Sequence, residues 1–213
     1  MNEHIDMKIS GSSSMPGGEY GRVSISGAGK VQGSLKCEEL HCSGAANVQG
    51  DVDCAGELCT SGAGKVAGNV RCGSLTSSGS FSAQSVQVEG LASVSGSLRT
   101  EQALTADEIR ASGSLEAGSV HCRALRSSGA CRVSGDVEAE TAVILGLFRT
   151  TPGRARIGSI EGDDIELENV EAEIVRGKYV RIGQGCRIGT VEYGENLEAE
   201  PGTVSRSTQT GAK

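Results

Sequence analysis

The sequence predicts an all-β protein folded as a β-solenoid, in which short strands wind round a narrow interior in successive coils. Three observations predict this fold. A Ser-Gly dipeptide recurs about every 17 residues, apolar and polar residues alternate between the recurrences, and the 213 residues include 32 Gly, two Phe, three Tyr and no Trp. Such a composition excludes a core built on bulky aromatic side chains, whereas Val, Leu, Ala and Cys fit a narrow interior.

The repeat is the main evidence for the coils. Seven dipeptides mark it: Ser26-Gly27, Ser43-Gly44, Ser61-Gly62, Ser78-Gly79, Ser95-Gly96, Ser112-Gly113 and Ser128-Gly129. The intervals between their serines are 17, 18, 17, 17, 17 and 16 residues. A sustained period of this kind is the signature of a repeat architecture. Glycine is expected at the corner because the chain there needs positive φ or close packing of successive backbones.

Aligning the units on the serine gives columns of one chemical type. The fifth residue after the serine is Val31, Val48, Val66, Ala83, Thr100, Ala117 and Val133. The ninth is Leu35, Val52, Val70, Gln87, Leu104, His121 and Val137. The eleventh is Cys37, Cys54, Cys72, Glu89, Ala106 and Ala139, with Cys122 one position early in the shortened sixth unit. This alternation has the period of a strand, and the columns stack about 4.8 Å apart. The period leaves the hand of the coil open.

The same patterns divide the chain into four segments. Residues 1–19 and 198–213 are polar and are predicted to be a disordered arm and a disordered tail. Residues 20–146 are predicted to be the β-helix. Residues 147–197 are predicted to be further strands or a cap, because apolar residues alternate there with charged ones: Ile165, Leu167, Ile174, Val180, Ile182, Ile188 and Val191.

The ends of the solenoid are the candidate interface. An uncapped end presents unpaired backbone groups to another chain, and no amphipathic capping helix precedes Arg22-Val-Ser-Ile25. The residues predicted to form a polymer interface are Val23 and Ile25 at one end, and Val143, Ile144, Leu145, Leu147 and Phe148 at the other unless the extension covers them. In the alternative, the arms or the C-terminal stretch fold over the ends and make a capped binding module.

Charge and hydropathy weigh against several classes of function. The chain has 20 Lys+Arg and 27 Asp+Glu, a net charge of −7, and few aromatics, which argues against a nucleic-acid partner. Its longest apolar run, 142–148, is far shorter than the roughly 20 residues of a membrane-spanning helix. Residues 1–10 lack the features of a secretory signal. With cysteine spacing unlike that of a disulfide framework, these features predict a reducing cytoplasm.

No catalytic residue, cofactor or metal site is predicted. Cys37, Cys42, Cys54 and Cys59 repeat one coil apart and could supply four thiolates, but they lack CxxC spacing and share columns with Ala, Ser and Val. They are therefore interpreted as packing residues. The three histidines, His4, His41 and His121, occupy unrelated positions, and the acidic run 161–168 alternates with Ile165 and Leu167 as a solvated strand face would.

An enzyme remains the rival class because of one short motif. Ile182-Gly-Gln-Gly-Cys-Arg187 followed by Ile188-Gly189 resembles the hexapeptide repeat of left-handed β-helix acyltransferases. That resemblance implies a trimer with a catalytic His in a protruding loop. Only about two hexads match, and the sequence shows no such loop.

The tandem V-x-G-x-[LV] cores carry a second resemblance. They read Val31-Gln-Gly-Ser-Leu35, Val48-Gln-Gly-Asp-Val52, Val66-Ala-Gly-Asn-Val70 and Val133-Ser-Gly-Asp-Val137. The chain thereby resembles the bactofilins, bacterial polymer-forming cytoskeletal proteins, over residues 20–145, while residues 156–193 resemble an extension in Gram-positive relatives. The resemblance implies a right-handed, three-sided β-helix that polymerises with itself, end to end and without nucleotide, between disordered tails.

The resemblance also implies a cytoplasmic scaffold that localises client proteins in cell shape, envelope synthesis or motility. Such scaffolds often lie on the inner face of the membrane. The N-terminal sequence MNEHIDMKIS has no apolar tail, so any association with the membrane is expected to be indirect. The Cys-rich interior and the C-terminal strands exceed the compact family core, so the polymer end is expected to be altered or covered.

Overall fold

The computed structural model describes residues 5–146 and 155–210, and these residues confirm the all-β solenoid. Parallel strands stack in about 11 turns of about 17 residues each, and the described residues include no helix. The chain divides into two compact units, Met1–Asp107 and Glu108–Lys213. None of the described residues forms a helix that could span a membrane.

The first unit consists of eleven short strands and the first part of a twelfth. They are β1 (Met7–Ile9), β2 (Ser12–Ile25), β3 (Ala28–Cys42), β4 (Ala45–Val48), β5 (Val52–Thr60), β6 (Ala63–Val66), β7 (Asn69–Ser77), β8 (Ser80–Ala83), β9 (Ser85–Val88), β10 (Leu91–Val94), β11 (Ser97–Thr100) and β12 (Ala103–Ala111). The boundary between the two units falls inside β12.

The second unit contains longer strands, several of which run through a whole coil. They are β13 (Ser114–Ala117), β14 (Ser119–Ser127), β15 (Ala130–Leu145), β16 (Ala155–Glu168), β17 (Val170–Ile182), β18 (Arg187–Ala199) and β19 (Val204–Gln209). The extension predicted from residue 147 onward therefore contains β16, β17 and β18, each stacked in parallel on the strand before it.

Each coil has three sides, which we call faces A, B and C. In the coil formed by β3, face A is 28–31, face B is 35–37 and face C is 40–42. Each face pairs with the same face of the next coil: Ala28 with Ala45, Leu35 with Val52, and Leu40 with Leu58. The same three-way register continues through the stack, so side chains one coil apart lie directly above one another.

The interior columns follow the alternation in the sequence, with a one-residue correction in two coils. Val31, Val48 and Val66 stack as expected. At the ninth and eleventh positions, however, Gln87, Glu89 and His121 do not lie in the columns. The buried residues there are Val86, Val88 and Val120. The reason is a corner one residue shorter between faces A and B, which an alignment on the Ser-Gly dipeptide does not register.

Both terminal segments differ from the expected disordered arms. Met7–Ile9 and Ser12–Ile25 are strands within the predicted arm or across its boundary, and Val204–Gln209 is a strand within the predicted tail. Met7 pairs with Val23 and Ile9 with Ile25, each 16 residues apart. The alternation Met-Lys-Ile thus repeats Val-Ser-Ile one coil earlier, and pairing with β2 orders it.

The Ser-Gly corner is set by close packing of backbones. Both Ser61 N–H and Gly62 N–H donate to the carbonyl oxygen of Cys42 in the coil before, at 2.8 and 3.3 Å. A Cβ at Gly62 would collide with the carbonyl oxygen of Gly44. The glycine is therefore required by the approach of successive coils, the second of the two reasons expected for it.

Candidate functional site

The first coil places the predicted interface residues of the N-terminal end below another strand. Val23 and Ile25 are fully buried, and β1 pairs with them on face C. The side chain of Met7 is half-buried and that of Ile9 is buried. The outermost described strand on this face is therefore β1, and the expectation that Val23 and Ile25 lie at the surface of the end is corrected by its presence.

Faces A and B of the first coil have no described strand on their outer side. Their edge is the segment 12–20 of β2, which pairs with β3 only on its inner side. Pro16 lies in this edge and has no N–H to offer, which weakens the edge as a template for another strand. Tyr20 Oη donates to the carbonyl oxygen of Pro16 at 3.1 Å, so the tyrosine folds across the corner.

The last coil shows the opposite arrangement of covered and open faces. The strand β19 pairs with β18 on faces A and B, with Ile188 opposite Val204 and Val191 opposite Ser207. Face C, at 196–199, pairs with β17 below it and with no described strand above it. Leu197 is half-buried and Ala199 is exposed, although both continue apolar interior columns.

The second predicted interface set lies within the stack. Val143, Ile144 and Leu145 belong to β15, and the extension covers them because each pairs with a residue of β16. Ile144 is fully buried, while Val143 and Leu145 are half-buried on the outer surface of face C. Residues Leu147 and Phe148 lie outside the described residues.

The residues at the true coil ends carried a signal that the analysis of columns missed. Met7-Lys8-Ile9 precedes Val23-Ser24-Ile25 by 16 residues, and Leu197-Glu198-Ala199 follows Val180-Arg181-Ile182 by 17. Both segments have the apolar, polar, apolar order of face C. They were assigned to polar tails because each is only three residues long and no Ser-Gly corner marks its coil.

Ion pairs between coils line the outer surface near the first coil. Arg22 Nε lies 2.8 Å from Glu39 Oε2, and Lys36 Nζ lies 3.0 Å from Glu19 Oε1. The hydrogen bond and charge of Arg22 lower the pKa of the Glu39 carboxyl, and those of Glu19 raise the pKa of the Lys36 amine. Such pairs on exposed strands favour one register of neighbouring coils over a shifted one.

The cysteines that could have formed a zinc site are not brought together. Cys37, Cys54 and Cys72 stack in register inside face B, but Cys42 lies inside face C and Cys59 points outward opposite His41. The described residues contain no group of three His, Cys, Asp or Glu side chains that could hold a metal ion. Burial raises the pKa of the Cys72 thiol to about 12, as expected for a thiol used in packing.

The histidines of the coils lie on the outer surface. His41 Nε2 is 3.5 Å from Glu39 and His121 Nε2 is 3.5 Å from Glu138. Each pair joins side chains that are partly exposed, and neither includes a nucleophile or a third orienting group among its contacts. The arrangement lacks the convergence that base and nucleophile require in a catalytic site.

A groove runs along the outer surface of face A in the first unit. Small side chains, including Ala28, Ala45 and Ala63, form its floor, and Lys30 and Lys65 lie along it. The groove encloses about 810 Å³. Its polar groups are spread along the coils and do not converge on one point, so the groove offers a contact surface and no reaction centre.

Comparison with known proteins points in the same direction as the repeat. A family model named Bactofilin, described as polymer-forming cytoskeletal, matches residues 2–84 and, in a second overlapping match, residues 29–116. Together the two matches cover more than half of the chain. The matched range includes the open edge of the first coil and the three stacked cysteines.

Two curated relatives from Bacillus subtilis (strain 168) share a shorter stretch with the chain. The uncharacterized protein YhbF is 50% identical over 54 residues, which are 25% of this chain and 23% of the relative. The uncharacterized protein YhbE is 48% identical over 54 residues, which are 25% of this chain and 22% of the relative. The aligned region thus spans less than a quarter of either relative. No solved structure matches the chain.

Proposed function

The chain belongs to the bactofilin family, and from this premise we propose that it polymerises end to end, without a nucleotide, into filaments. The observation that carries the proposal is the pair of incomplete end coils. The first leaves the edge of 12–20 unpaired, and the last leaves 196–199 unpaired, among the described residues. Unpaired strand edges are templates for strands of another chain.

The chemistry of these edges supports assembly that needs no bound nucleotide. Stacking one coil on another forms backbone hydrogen bonds and buries the apolar columns, as every coil inside the stack already does. The contact between copies would therefore resemble the contact between coils of one chain. Assembly driven in this way depends on protein concentration and needs no hydrolysis step.

We further propose that the filament is a non-enzymatic cytoplasmic scaffold that localises partner proteins in cell shape, envelope synthesis or motility. The bactofilins are a structural, cytoskeletal family, which supports this role over the acyltransferase alternative. A filament of stacked coils repeats the same outer faces many times, so weak contacts with a client would be multiplied. Any contact with the inner face of the membrane would be made through such clients.

Sedimentation across a dilution series tests the polymerisation. The reduced, purified chain is centrifuged at several concentrations with no nucleotide, with ATP and with GTP, and the pellet is viewed by negative-stain electron microscopy. We expect filaments in the pellet above a critical concentration that is the same in all three buffers. Filaments that appear only with a nucleotide would contradict nucleotide-independent assembly.

A capped binding module is the second candidate, and β19 is the observation that favours it. Its sequence is Val-Ser-Arg-Ser-Thr-Gln, so Ser207 occupies the interior column in which Val191 lies one coil earlier. Polar residues at an outermost coil protect it from pairing. In this reading the groove on face A binds a partner, and the chain sediments as one small particle at every dilution.

A further inference from the structure

The two end coils are incomplete in complementary ways. In the first unit, β1 adds a strand on face C beyond the first full coil, while faces A and B have none among the described residues. In the second unit, β19 adds strands on faces A and B beyond the last full coil, while face C has none among the described residues. One coil needs a strand on each of three faces, and the two partial coils together supply one strand for each.

We propose that successive copies join head to tail, so that β1 of one copy and β19 of its partner copy complete a single shared coil. The inference rests on the proposed polymerisation and adds its polarity and its junction. In this junction β1 stacks on 197–199 of the partner copy, and β19 of that copy stacks on 12–20. All pairings of neighbouring coils stay parallel, as they are inside the chain.

The interior columns of face C continue across such a junction. Inside the first unit Met7 lies over Val23 and Ile9 over Ile25. Inside the second unit the columns end at Leu197 and Ala199. Placing Met7 opposite Leu197 and Ile9 opposite Ala199 would bury two half-covered or exposed apolar side chains, and burial of apolar surface favours association.

The charges of the outward-facing residues match in the same register. Lys8 stands between Met7 and Ile9 and is exposed, and Glu198 stands between Leu197 and Ala199 with 65% of its side chain exposed. The register that continues the apolar columns therefore sets Lys8 directly opposite Glu198. A junction between two first coils would instead bring lysines together and a junction between two last coils would bring glutamates together, and like charges opposite one another are unfavourable.

Disulfide crosslinking tests the junction in the full chain. Opposite residues of adjacent parallel strands lie about 4.8 Å apart, within the Cα separation that a disulfide spans. Two variants, Lys8→Cys and Glu198→Cys, are prepared in a background that carries Cys59→Ser and Cys122→Ser, since those two native thiols are half-buried. Filaments of each variant and of an equal mixture are oxidised with oxidised glutathione and separated by denaturing, non-reducing electrophoresis.

We expect crosslinked dimers from the mixture, ladders of linear multimers from the chain carrying both new cysteines, and monomer from each single variant. Dimers from Lys8→Cys alone or from Glu198→Cys alone would overturn the proposal in favour of a junction between like ends. Filaments without any new crosslink would overturn it too. If the background chain does not sediment as a polymer, the proposed function itself fails, and sedimentation before oxidation separates that result from the others.

Charge exchange gives a second readout that needs no disulfide. We expect Lys8→Glu to raise the critical concentration about fivefold, because it faces Glu198 with a like charge. The doubly exchanged chain, Lys8→Glu with Glu198→Lys, restores an opposite pair at every junction and returns the critical concentration close to that of the parent. Lys30→Glu is the matched control, since Lys30 is exposed on face A away from the end coils. No recovery in the double variant would contradict the register.

Discussion

Gly64 and Phe81 lie opposite each other in adjacent coils of face A, and the ring of Phe81 occupies the space that a side chain at position 64 would need. The two residues are paired in register. A Cβ placed on Gly64 would lie 2.6 Å from Cδ2 of Phe81. The next coil holds Leu98 in the same column. The narrow interior accepts a phenylalanine because its neighbour has no side chain.

Gly64→Ala is expected to lower the free energy of unfolding by about 1–3 kcal/mol, the range for overpacking of a closed core. In a Phe81→Leu background, which places the side chain of Leu98 one coil earlier, the same substitution is expected to cost less. Urea unfolding of the four chains gives the coupling energy. The control is Gly11→Ala, because a Cβ there has no neighbour within 4 Å. Equal losses in both backgrounds would show that the ring and the glycine are not coupled.

The Ser-Gly corner predicts a larger effect. Gly62→Ala would place its Cβ against the backbone carbonyl oxygen of Gly44, which cannot turn aside as a side chain can. We expect a loss of more than about 3 kcal/mol or a failure to fold. Gly90→Ala is the matched control, since its Cβ would lie 3.3 Å from the nearest atom, the oxygen of Gly73. Similar stability of the two variants by circular dichroism and urea unfolding would refute the close-packing account of the corner.

Buried thiols predict a loss of stability at alkaline pH. Burial raises the pKa of Cys72 to about 12 and that of Cys131 to about 11, above the ordinary thiol value of 9.0. Between pH 9 and 11 the unfolded chain loses thiol protons that the folded chain keeps, so the free energy of unfolding falls as the pH rises. Urea unfolding in reducing buffer from pH 8 to 10.5 measures the slope.

Comparison with a variant isolates the thiols from other groups that titrate in this range. Cys72→Val is the natural replacement, since Val88 holds the next position in that column, and Cys131→Ala removes the second thiol. We expect the double variant to lose less stability than the parent over the same pH interval. An identical slope in the two chains would mean that these thiols do not keep their protons in the folded state.

Thr60 predicts a stabilising substitution. Its side chain is 1% exposed, and its hydroxyl has no hydrogen-bond partner. A buried hydroxyl without a partner costs free energy, so Thr60→Val is expected to raise the free energy of unfolding by about 1 kcal/mol. Thr105→Val, on the exposed side of a strand, is the control and should change stability by less than about 0.5 kcal/mol. A loss of stability for Thr60→Val would indicate that the hydroxyl is hydrogen-bonded in solution.

The sequence predicted the coil, its period and most interior columns, because the alternation of small apolar residues repeats directly in Val31, Val48 and Val66. It did not place the coil ends, since β1 and β19 gain their order from pairing with a neighbour and have little pattern of their own. The same holds for Val23 and Ile25, which are terminal in the repeat but lie beneath Met7 and Ile9 in the structure. A corner shortened by one residue shifted Gln87 and His121 out of their assigned columns without altering the period.

The direction of the coil stack within the filament is the most direct test of the account. If copies join through their end coils, strands run across the filament and the coil spacing of about 4.8 Å lies along its axis. Power spectra of aligned filaments imaged by electron cryomicroscopy, without nucleotide, are expected to show a reflection near 4.8 Å on the meridian. A 4.8 Å reflection on the equator, or discrete particles that never lengthen with concentration, would contradict assembly through the coil ends.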